Sequence, residues 1–330
     1  MKAAVLHEIG GIPRYEDFPE PVAGDGEVVV EVKAVAVENV DKAMATGTHF
    51  ASKQFLTQLP AIPGFDGIGT LPDGTLVGFG RPRPPYGALA ERTVVAKSNI
   101  VPAPEGVDPA VAVALSSAVT GFAVRTAAEL APGETVLIQG ATGVAGRLAV
   151  KVARLLGAGR IVCTGRDDVA LQELRTLGAD TVINTAVSDE ALVRAYTDAA
   201  VGGYDVVLDF LWGRPTEMLL RALTPEKLKM AKPTRLVQAG ESAGPALTIA
   251  AQSLRMSGVE ICGVGKNLDA TSMADAYNQV VEWARDGSLT FDLERVPLSQ
   301  IEAAWQRTDL RGRRLVVTSS SEPKCATGED

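Results

Sequence analysis

Cysteine and histidine are scarce in this chain of 330 residues. It contains three cysteines, Cys163, Cys262 and Cys325, and two histidines, His7 and His49. The cysteines are widely spaced and odd in number, so they predict neither a disulfide framework nor a CxxC redox pair. They are also too few for a four-cysteine zinc lobe. This usage of cysteine is typical of a reducing compartment, and we expect the protein to be cytoplasmic.

Long apolar runs and an excess of positive charge are absent as well. No stretch approaches the roughly 20 apolar residues that a membrane-spanning helix needs, and His7 and Glu8 stand where a signal peptide has its apolar region. The net charge of −8 disfavours general attraction to nucleic acid or anionic membranes. We therefore expect neither of these as a partner.

The pattern of the sequence changes at about residue 114. Up to Ala114, short β-rich segments alternate with glycine and proline turns, which predicts a small, irregular, mostly β domain. From Leu115 to Gly265, short apolar segments alternate with helical ones, which predicts an α/β fold with a doubly wound parallel sheet. The six strands expected in this sheet are Thr135–Gln139, Arg160–Thr164, Thr181–Asn184, Asp205–Asp209, Arg235–Ala239 and Val259–Val264.

A glycine-rich turn connects the first of these strands to a helix. The turn reads Gly-Ala-Thr-Gly-Val-Ala-Gly over residues 140–146. Gly143 would let a pyrophosphate approach the backbone, Gly146 would let helix and strand pack closely, and the helix N-terminus would bind the phosphates. Because Ala141 stands where the usual motif has a glycine, a tight turn without a ligand is the alternative. The expected cofactor contacts in the turn are Ala141, Thr142, Gly143, Val144 and Ala145.

The end of the second strand indicates which cofactor binds. NAD-binding domains carry an acidic residue there that holds the ribose hydroxyl, whereas this strand ends in Gly165 and Arg166. Gly165 leaves room for a 2′-phosphate, and the guanidinium of Arg166 can bind it at two points. Asp167 and Asp168 are the contrary observation, but we expect them in the first turn of the next helix. The sequence therefore predicts NADPH.

Several further segments resemble one known family in their order and spacing. They are Met1-Lys-Ala-Ala-Val5, Pro63-Gly-Phe-Asp-Gly67, Tyr86-Gly-Ala-Leu-Ala-Glu91, Pro132–Ala141, Leu177-Gly-Ala-Asp180, Asp205–Asp209 and Pro297–Trp305. Over nearly its whole length the chain resembles the zinc-independent quinone oxidoreductase branch of the medium-chain dehydrogenase/reductase superfamily.

The resemblance implies two domains and a set of contacts. Residues 1–114 and 266–330 would form a GroES-like catalytic domain, residues 115–265 would form a Rossmann domain that binds NADPH, and the active site would be the cleft between them. Thr120 would approach the nicotinamide ring, while Gly240 and the segment around Val264 would line the cofactor. The family also implies a homo-oligomer, with a dimer favoured.

The resemblance also suggests that no metal binds. Alcohol dehydrogenases of this superfamily carry a zinc-ligating cysteine in the segment that here reads Val35–Asp41, and a histidine where Phe65 stands here. Without a Lewis acid, the expected reaction is hydride delivery to an electron-poor small molecule, a quinone or an α,β-unsaturated carbonyl compound. A reductase of ketones or other carbonyls, and a non-catalytic NADPH-binding protein of the crystallin type, are the alternatives.

Hydride addition to an enone leaves an enolate, which needs a proton donor. Related quinone reductases carry Asn-x-x-Asp and a later Tyr in the loop that faces the cofactor. Here Glu38 stands in the Asn place, Asp41 keeps the Asp, and His49 falls near the Tyr position. We predict that His49 is the donor; a solvated loop histidine, with water as donor, is the alternative.

Three other residues are candidates in the same region. Asp41 is either catalytic or a structural group that bonds the backbone of its turn. Tyr86 either offers its phenol to the active site or packs beside the prolines that precede it. Asn39 is a candidate contact for the nicotinamide ribose. The short-chain dehydrogenases are excluded because no tyrosine of this chain has a lysine four residues later.

Overall fold

The computed structural model describes residues 1–49, 51–228 and 231–319. Phe50 and the segment from Ser320 to Asp330, which contains Cys325 and nearly all of the polar tail noted in the sequence, lie outside the described residues. Contacts divide the chain into two compact units: unit 1 is 1–114 together with the chain from 291 on, and unit 2 is 115–290.

The strands and helices follow in chain order. The strands are β1 Lys2–Val5, β2 Arg14–Asp17, β3 Glu27–Val37, β4 Asp66–Thr70, β5 Leu76–Gly80, β6 Arg92–Ala96, β7 Ile100–Pro102, β8 Thr135–Gln139, β9 Arg160–Gly165, β10 Thr181–Asn184, β11 Val206–Asp209, β12 Thr234–Gln238, β13 Val259–Gly263, β14 Leu293–Pro297 and β15 Arg314–Thr318. The helices are α1 Asn39–Ala45, α2 Ser52–Phe55, α3 Pro109–Val119, α4 Ala123–Thr126, α5 Val144–Leu155, α6 Asp168–Thr176, α7 Asp189–Ala199, α8 Gly213–Leu223, α9 Ala251–Met256, α10 Ala270–Arg285 and α11 Ile301–Trp305.

Unit 1 is built around the long strand β3. This strand has 11 residues and pairs antiparallel with β4, β6 and β15. The sheet runs in the order β14-β15-β3-β4-β5-β7, and β1 and β2 form a separate hairpin. Valines and alanines of β3 alternate inward with polar residues such as Glu31, which gives a half-buried sheet on an apolar core. Unit 1 is therefore sheet-rich, as predicted.

Unit 2 contains the doubly wound sheet. Its strands are parallel and run in the order β10-β9-β8-β11-β12-β13. The central residues of β8, Val136 to Ile138, are completely buried because helices cover both faces. This is the strand order of a dinucleotide-binding Rossmann fold, and it confirms the predicted α/β class.

The second boundary of the units differs from the sequence-based expectation. We expected residues 266–330 to return to the first domain, whereas 266–290 pack within unit 2. Trp283 of α10 stacks on Phe122 with ring centroids 5.4 Å apart. Lys151 Nζ donates to the carbonyl of Thr290 at 2.7 Å. These contacts hold α10 on unit 2, so the chain returns to unit 1 at Phe291.

One helical stretch is more apolar than the sequence-based expectation allowed. Pro109–Thr126 has the length and composition that a membrane span would need. Of this stretch, 61% is buried inside the protein, as in the core helices of soluble proteins. Its apolar character is therefore explained by packing.

Candidate active site

The glycine turn after β8 is close-packed in a way that needs glycine. Gly140 has φ of 77°, a backbone conformation that favours glycine. A Cβ on Gly146 would lie 2.4 Å from the carbonyl oxygen of Gly140, so only glycine lets α5 approach the turn this closely. The turn is also anchored to β9, because the backbone N–H of Ala141 donates to the carbonyl of Thr164 at 2.9 Å.

The space beside the start of α5 fits a pyrophosphate. Gly143 is the N-cap of α5, and a Cβ built on it would meet only the Gly140 carbonyl oxygen, at 3.6 Å. A side chain at position 143 would therefore not clash with the protein, and the glycine keeps this space free of side-chain atoms. The first turn of α5, which begins with Val144 and Ala145, presents backbone N–H groups and the positive end of the helix dipole there. This is the arrangement that binds phosphates in dinucleotide folds.

The carboxylates that follow β9 each accept a hydrogen bond from within the protein. Asp167 is the N-cap of α6 and accepts the backbone N–H of Ala170 at 2.8 Å. Asp168 accepts from the side-chain amide of Asn184 at 2.7 Å. Arg166 is exposed beside them. All three side chains are exposed, but both acids bond the start of α6 and the neighbouring strand, and Arg166 places a guanidinium beside them.

Gly165, the last residue of β9, packs against the glycine turn. A Cβ at Gly165 would lie 2.5 Å from Thr142 Cγ2, so the glycine turn and the end of β9 touch here. The expectation that Gly165 leaves room for a 2′-phosphate was therefore wrong, because protein atoms fill that place. Thr142 and Arg166 consequently flank one point at the carboxyl edge of the sheet. In a Rossmann fold this is where the adenosine ribose is recognised.

The other residues expected at the cofactor lie around the same edge. The backbone N–H of Gly240 donates to Asp209 O at 3.1 Å, and that of Val264 donates to Gln238 O at 2.9 Å, so both continue strand ends. Thr120 belongs to a short turn that packs on α5. Gly240 and Val264 therefore lie at strand ends of unit 2, whereas Thr120 lies beside α5 in the same unit. Asn39 is the first residue of α1 and belongs to unit 1.

A buried polar network that the sequence did not predict lies at the same strand ends. Gln139, at the end of β8, donates from Nε2 to Thr216 Oγ1 at 3.1 Å and accepts from the Tyr196 hydroxyl at 2.6 Å. The Thr216 hydroxyl donates to Asp209 Oδ2 at 2.5 Å. All four side chains are fully buried. The sequence does contain a hint of this network, because the mainly apolar strands β8 and β11 each end in a polar residue, Gln139 and Asp209.

The segment that follows β11 contains a strained backbone. Trp212 adopts φ of 56° and ψ of −162°, a combination that is essentially confined to glycine. Such a conformation costs about 1–3 kcal/mol and persists only where the surroundings fix it. The backbone N–H groups of Leu211 and Trp212 both donate to Asp209 Oδ1, at 2.8 and 3.0 Å. Asp209 therefore holds this segment in place.

In unit 1, Asp41 bonds backbone groups with both of its oxygens. Oδ2 accepts the N–H of Glu38 at 2.8 Å, and Oδ1 accepts the N–H of Phe65 at 3.1 Å. Glu38 in turn forms an ion pair with Arg314 at 3.0 Å. These contacts fasten the start of α1 to the segment before β4. They support the structural alternative for Asp41.

Burial and repulsion raise the pKa values of two acids near α1. Burial raises the pKa of Asp41 to about 6; the Glu38 carboxylate adds to the rise, while its backbone donors oppose it. Burial also raises the pKa of Asp66 to about 7, with further contributions from Glu38 and Asp41. Arg314 is the cation that lowers both pKa values. The cluster therefore gains and loses a proton near neutral pH.

His49 lies in the turn after α1 and is partly exposed. Its Nδ1 accepts the backbone N–H of Ala51 at 3.2 Å. In the neutral ring, this assigns the hydrogen to Nε2, because a nitrogen that accepts a hydrogen bond carries none. The hydrogen bond from Ala51 thus fixes the orientation of the His49 ring.

Tyr86 is engaged with its own unit. Its hydroxyl donates to the carbonyl of Glu20 at 3.2 Å, and its ring meets that of Phe18 edge-on at 5.8 Å between centroids. With Asp41 it lines a cavity of about 20 Å³, which has room for about one water and no acceptor molecule. These contacts support the packing alternative for Tyr86.

No metal centre is found in the part of the chain that the structure describes. Across residues 1–49, 51–228 and 231–319, no three His, Cys, Asp or Glu side chains are arranged to hold an ion. Of the cysteines in these ranges, Cys163 is buried in the sheet and Cys262 is partly buried.

A solved structure decides the family. The quinone oxidoreductase of Thermus thermophilus, solved alone and in complex with NADPH, is 30% identical to this chain and superposes with a TM-score of 0.70. The match covers 96% of this chain and 100% of that one. The chain belongs to the medium-chain dehydrogenase/reductase superfamily, in its quinone oxidoreductase-like branch. It is an oxidoreductase.

Further relatives of this medium-chain oxidoreductase are more distant. A probable NADPH-dependent quinone reductase of Emericella nidulans is 25% identical, and the match covers 92% of this chain and 96% of the relative. A chloroplastic NADPH-dependent alkenal/one oxidoreductase of Arabidopsis thaliana is 28% identical over 56% of this chain and 52% of its own length. The family model described as zinc-binding dehydrogenase matches residues 145–230, all within unit 2.

Proposed function

We propose that this protein is an NADPH-dependent, zinc-independent reductase that delivers hydride to quinones or to α,β-unsaturated carbonyl compounds, enones and enals. The observation that carries the proposal is the end of β9. There Asp167 and Asp168 are bonded within the protein, and Arg166 is exposed next to Gly165.

The charge of Arg166 favours the phosphorylated cofactor. A charge-assisted hydrogen bond contributes about 1.5–3 kcal/mol, so a single bidentate contact to a 2′-phosphate favours NADPH over NADH about tenfold or more. Gly165 is buried against Thr142, so it lets the glycine turn pack on β9 and does not itself make room for the phosphate. The Thermus structure in complex with NADPH and the two relatives whose names specify NADPH support the same cofactor.

The bound cofactor supplies the hydride, and the chain positions and protects the reacting groups. The glycine turn and the start of α5 bind the pyrophosphate. In unit 1, His49 in its imidazolium form donates an N–H to the acceptor oxygen as negative charge develops on it, gives up that proton and returns to the neutral ring. Asp41 and Tyr86 act in our proposal as structural groups that shape the surroundings.

The zinc-independent reaction is supported by the side chains at the positions of the alcohol dehydrogenase ligands. Phe65 replaces the histidine, and the segment from Val35 to Asp41 contains no cysteine. In the described structure, Glu38 and Asp41 are used instead for an ion pair and for backbone contacts. The electron-poor acceptor therefore has to be reactive without metal activation, as quinones and enones are.

We also propose that the protein is a cytoplasmic homodimer. The few cysteines suit a reducing compartment. Strand β13 is the last strand of its sheet, and no strand among the described residues pairs with its outer side. An open edge of this kind is a ready site for pairing with a second copy.

The preference for NADPH tests the function. We expect wild-type protein to use NADPH with a kcat/KM at least about tenfold above that for NADH, and Arg166→Ala to lose most of this preference. Arg194→Ala, which removes an exposed arginine from α7, is the control and keeps it. Two results would contradict the assignment of Arg166 as the group that selects NADPH. One is a wild-type protein with equal kcat/KM for NADH and NADPH, and the other is an Arg166→Ala variant with unchanged preference.

A further inference from the structure

The buried network of Gln139, Thr216 and Asp209 joins the two strands at the point where the sheet reverses its winding. In the order β10-β9-β8-β11-β12-β13, the chain first builds outward from β8 and then resumes at β11 on the other side. Dinucleotides bind outside the carboxyl ends of the strands at such a switch point. The network lies at these two carboxyl ends.

The hydrogen bonds of the network run in one direction. The Tyr196 hydroxyl donates to Gln139, the Gln139 amide donates to Thr216, and Thr216 donates to Asp209. This order fixes which end of the Gln139 amide faces Thr216. Because Gln139 immediately precedes Gly140, a fixed amide also fixes the first residue of the phosphate-binding turn.

The other side of the network holds the segment after β11. Asp209 accepts from the backbone of both Leu211 and Trp212 and so maintains the strained conformation of Trp212. Leu211 then lies against the glycine turn: a Cβ on Gly140 would be 2.8 Å from Leu211 Cδ2. The two strand ends are therefore linked twice, through the buried side chains and through this contact.

We propose that Thr216 and Asp209 are positioning residues for the dinucleotide: they set the separation of the Gly140 turn and the Leu211–Trp212 segment, and so the shape of the site for the cofactor. This inference rests on the proposed NADPH-binding function. Neither residue needs to touch the cofactor. A fully buried network spread over β8, β11, α7 and α8 gives the site its rigidity before the ligand arrives.

Thr216→Val is the test, because it removes the hydroxyl between Gln139 and Asp209 and keeps the shape of the side chain. Thr234→Val is the matched control. Thr234 is also buried and donates its hydroxyl to Tyr204 O at 2.8 Å, but it begins β12, at the opposite edge of the sheet. The measurements are the Kd for NADPH, from the quenching of protein fluorescence, and Tm without ligand.

We expect Tm to fall in both variants and the Kd for NADPH to rise about tenfold in Thr216→Val alone. Thr216→Ser, which restores the hydroxyl, is expected to recover the wild-type Kd. An equal Kd in both valine variants would overturn the inference, because the network would then be only structural. If Thr216→Val does not fold, Asp209→Asn is the variant to measure. Its side-chain N–H₂ would face the Thr216 hydroxyl, which donates to Asp209 in the wild-type protein. Wild-type protein that binds neither NADPH nor NADH would instead contradict the proposed function.

Discussion

At the scale of single residues, the role of His49 as proton donor stays a prediction, whereas Asp41 and Tyr86 have contacts that favour structural roles. His49 Nδ1 accepts from Ala51, so that the neutral ring carries its hydrogen on Nε2. Asp41 has both oxygens on backbone N–H groups, and the Tyr86 hydroxyl donates to a carbonyl. Residue type alone suggested all three as candidates, and the hydrogen-bond partners of Asp41 and Tyr86 are what the sequence could not show.

Replacement of His49 tests its role. We expect His49→Ala to lower kcat by about 10²–10⁴-fold and to change the KM for NADPH little, because general acid catalysis contributes in the transition state. His49→Gln keeps an N–H donor without a transferable proton, so a partial recovery of kcat would indicate that charge stabilisation matters as well. Steady-state kinetics with a quinone measure both variants. If kcat is unchanged in His49→Ala, water is the donor.

At the scale of elements, the apolar strands of unit 2 could be predicted because each is short, rich in valine and isoleucine, and bounded by turns. Thr135–Gln139 and Thr181–Asn184 begin and end where the sequence predicted. The assignment of α10 to unit 1 was wrong. The helix packs on unit 2 through the stacking of Trp283 on Phe122, and these two residues are far apart in sequence. Periodicity identifies a helix but not the surface on which it packs.

Strand β13 carries a prediction about assembly. The Val264 N–H points to β12, and alternation along the strand directs the N–H of Gly263 to the open edge. We expect light scattering to give the mass of a dimer for wild-type protein and of a monomer for Gly263→Pro, which removes that donor. Gly263→Ala is the control, since a Cβ there meets nothing within 4 Å. A wild-type monomer would contradict pairing at this edge.

At the scale of the whole molecule, the sequence predicted a sheet-rich unit, a Rossmann unit and the class of cofactor, because each depends on local patterns. The buried network could not be predicted, since Gln139 and Thr216 are 77 positions apart and meet only in the folded sheet. We expect the acceptor to depend on loops of unit 1, such as Gly80–Tyr86, whose conformations come from packing rather than from periodicity.

The reaction itself is tested most directly by matched acceptors. NADPH oxidation is followed with an enone, with the saturated ketone of the same carbon skeleton, and with a quinone. We expect turnover of the enone or the quinone and little of the saturated ketone, because no metal polarises the carbonyl. Equal or faster turnover of the saturated ketone would contradict it, and tight NADPH binding without oxidation by any acceptor would indicate a non-catalytic protein.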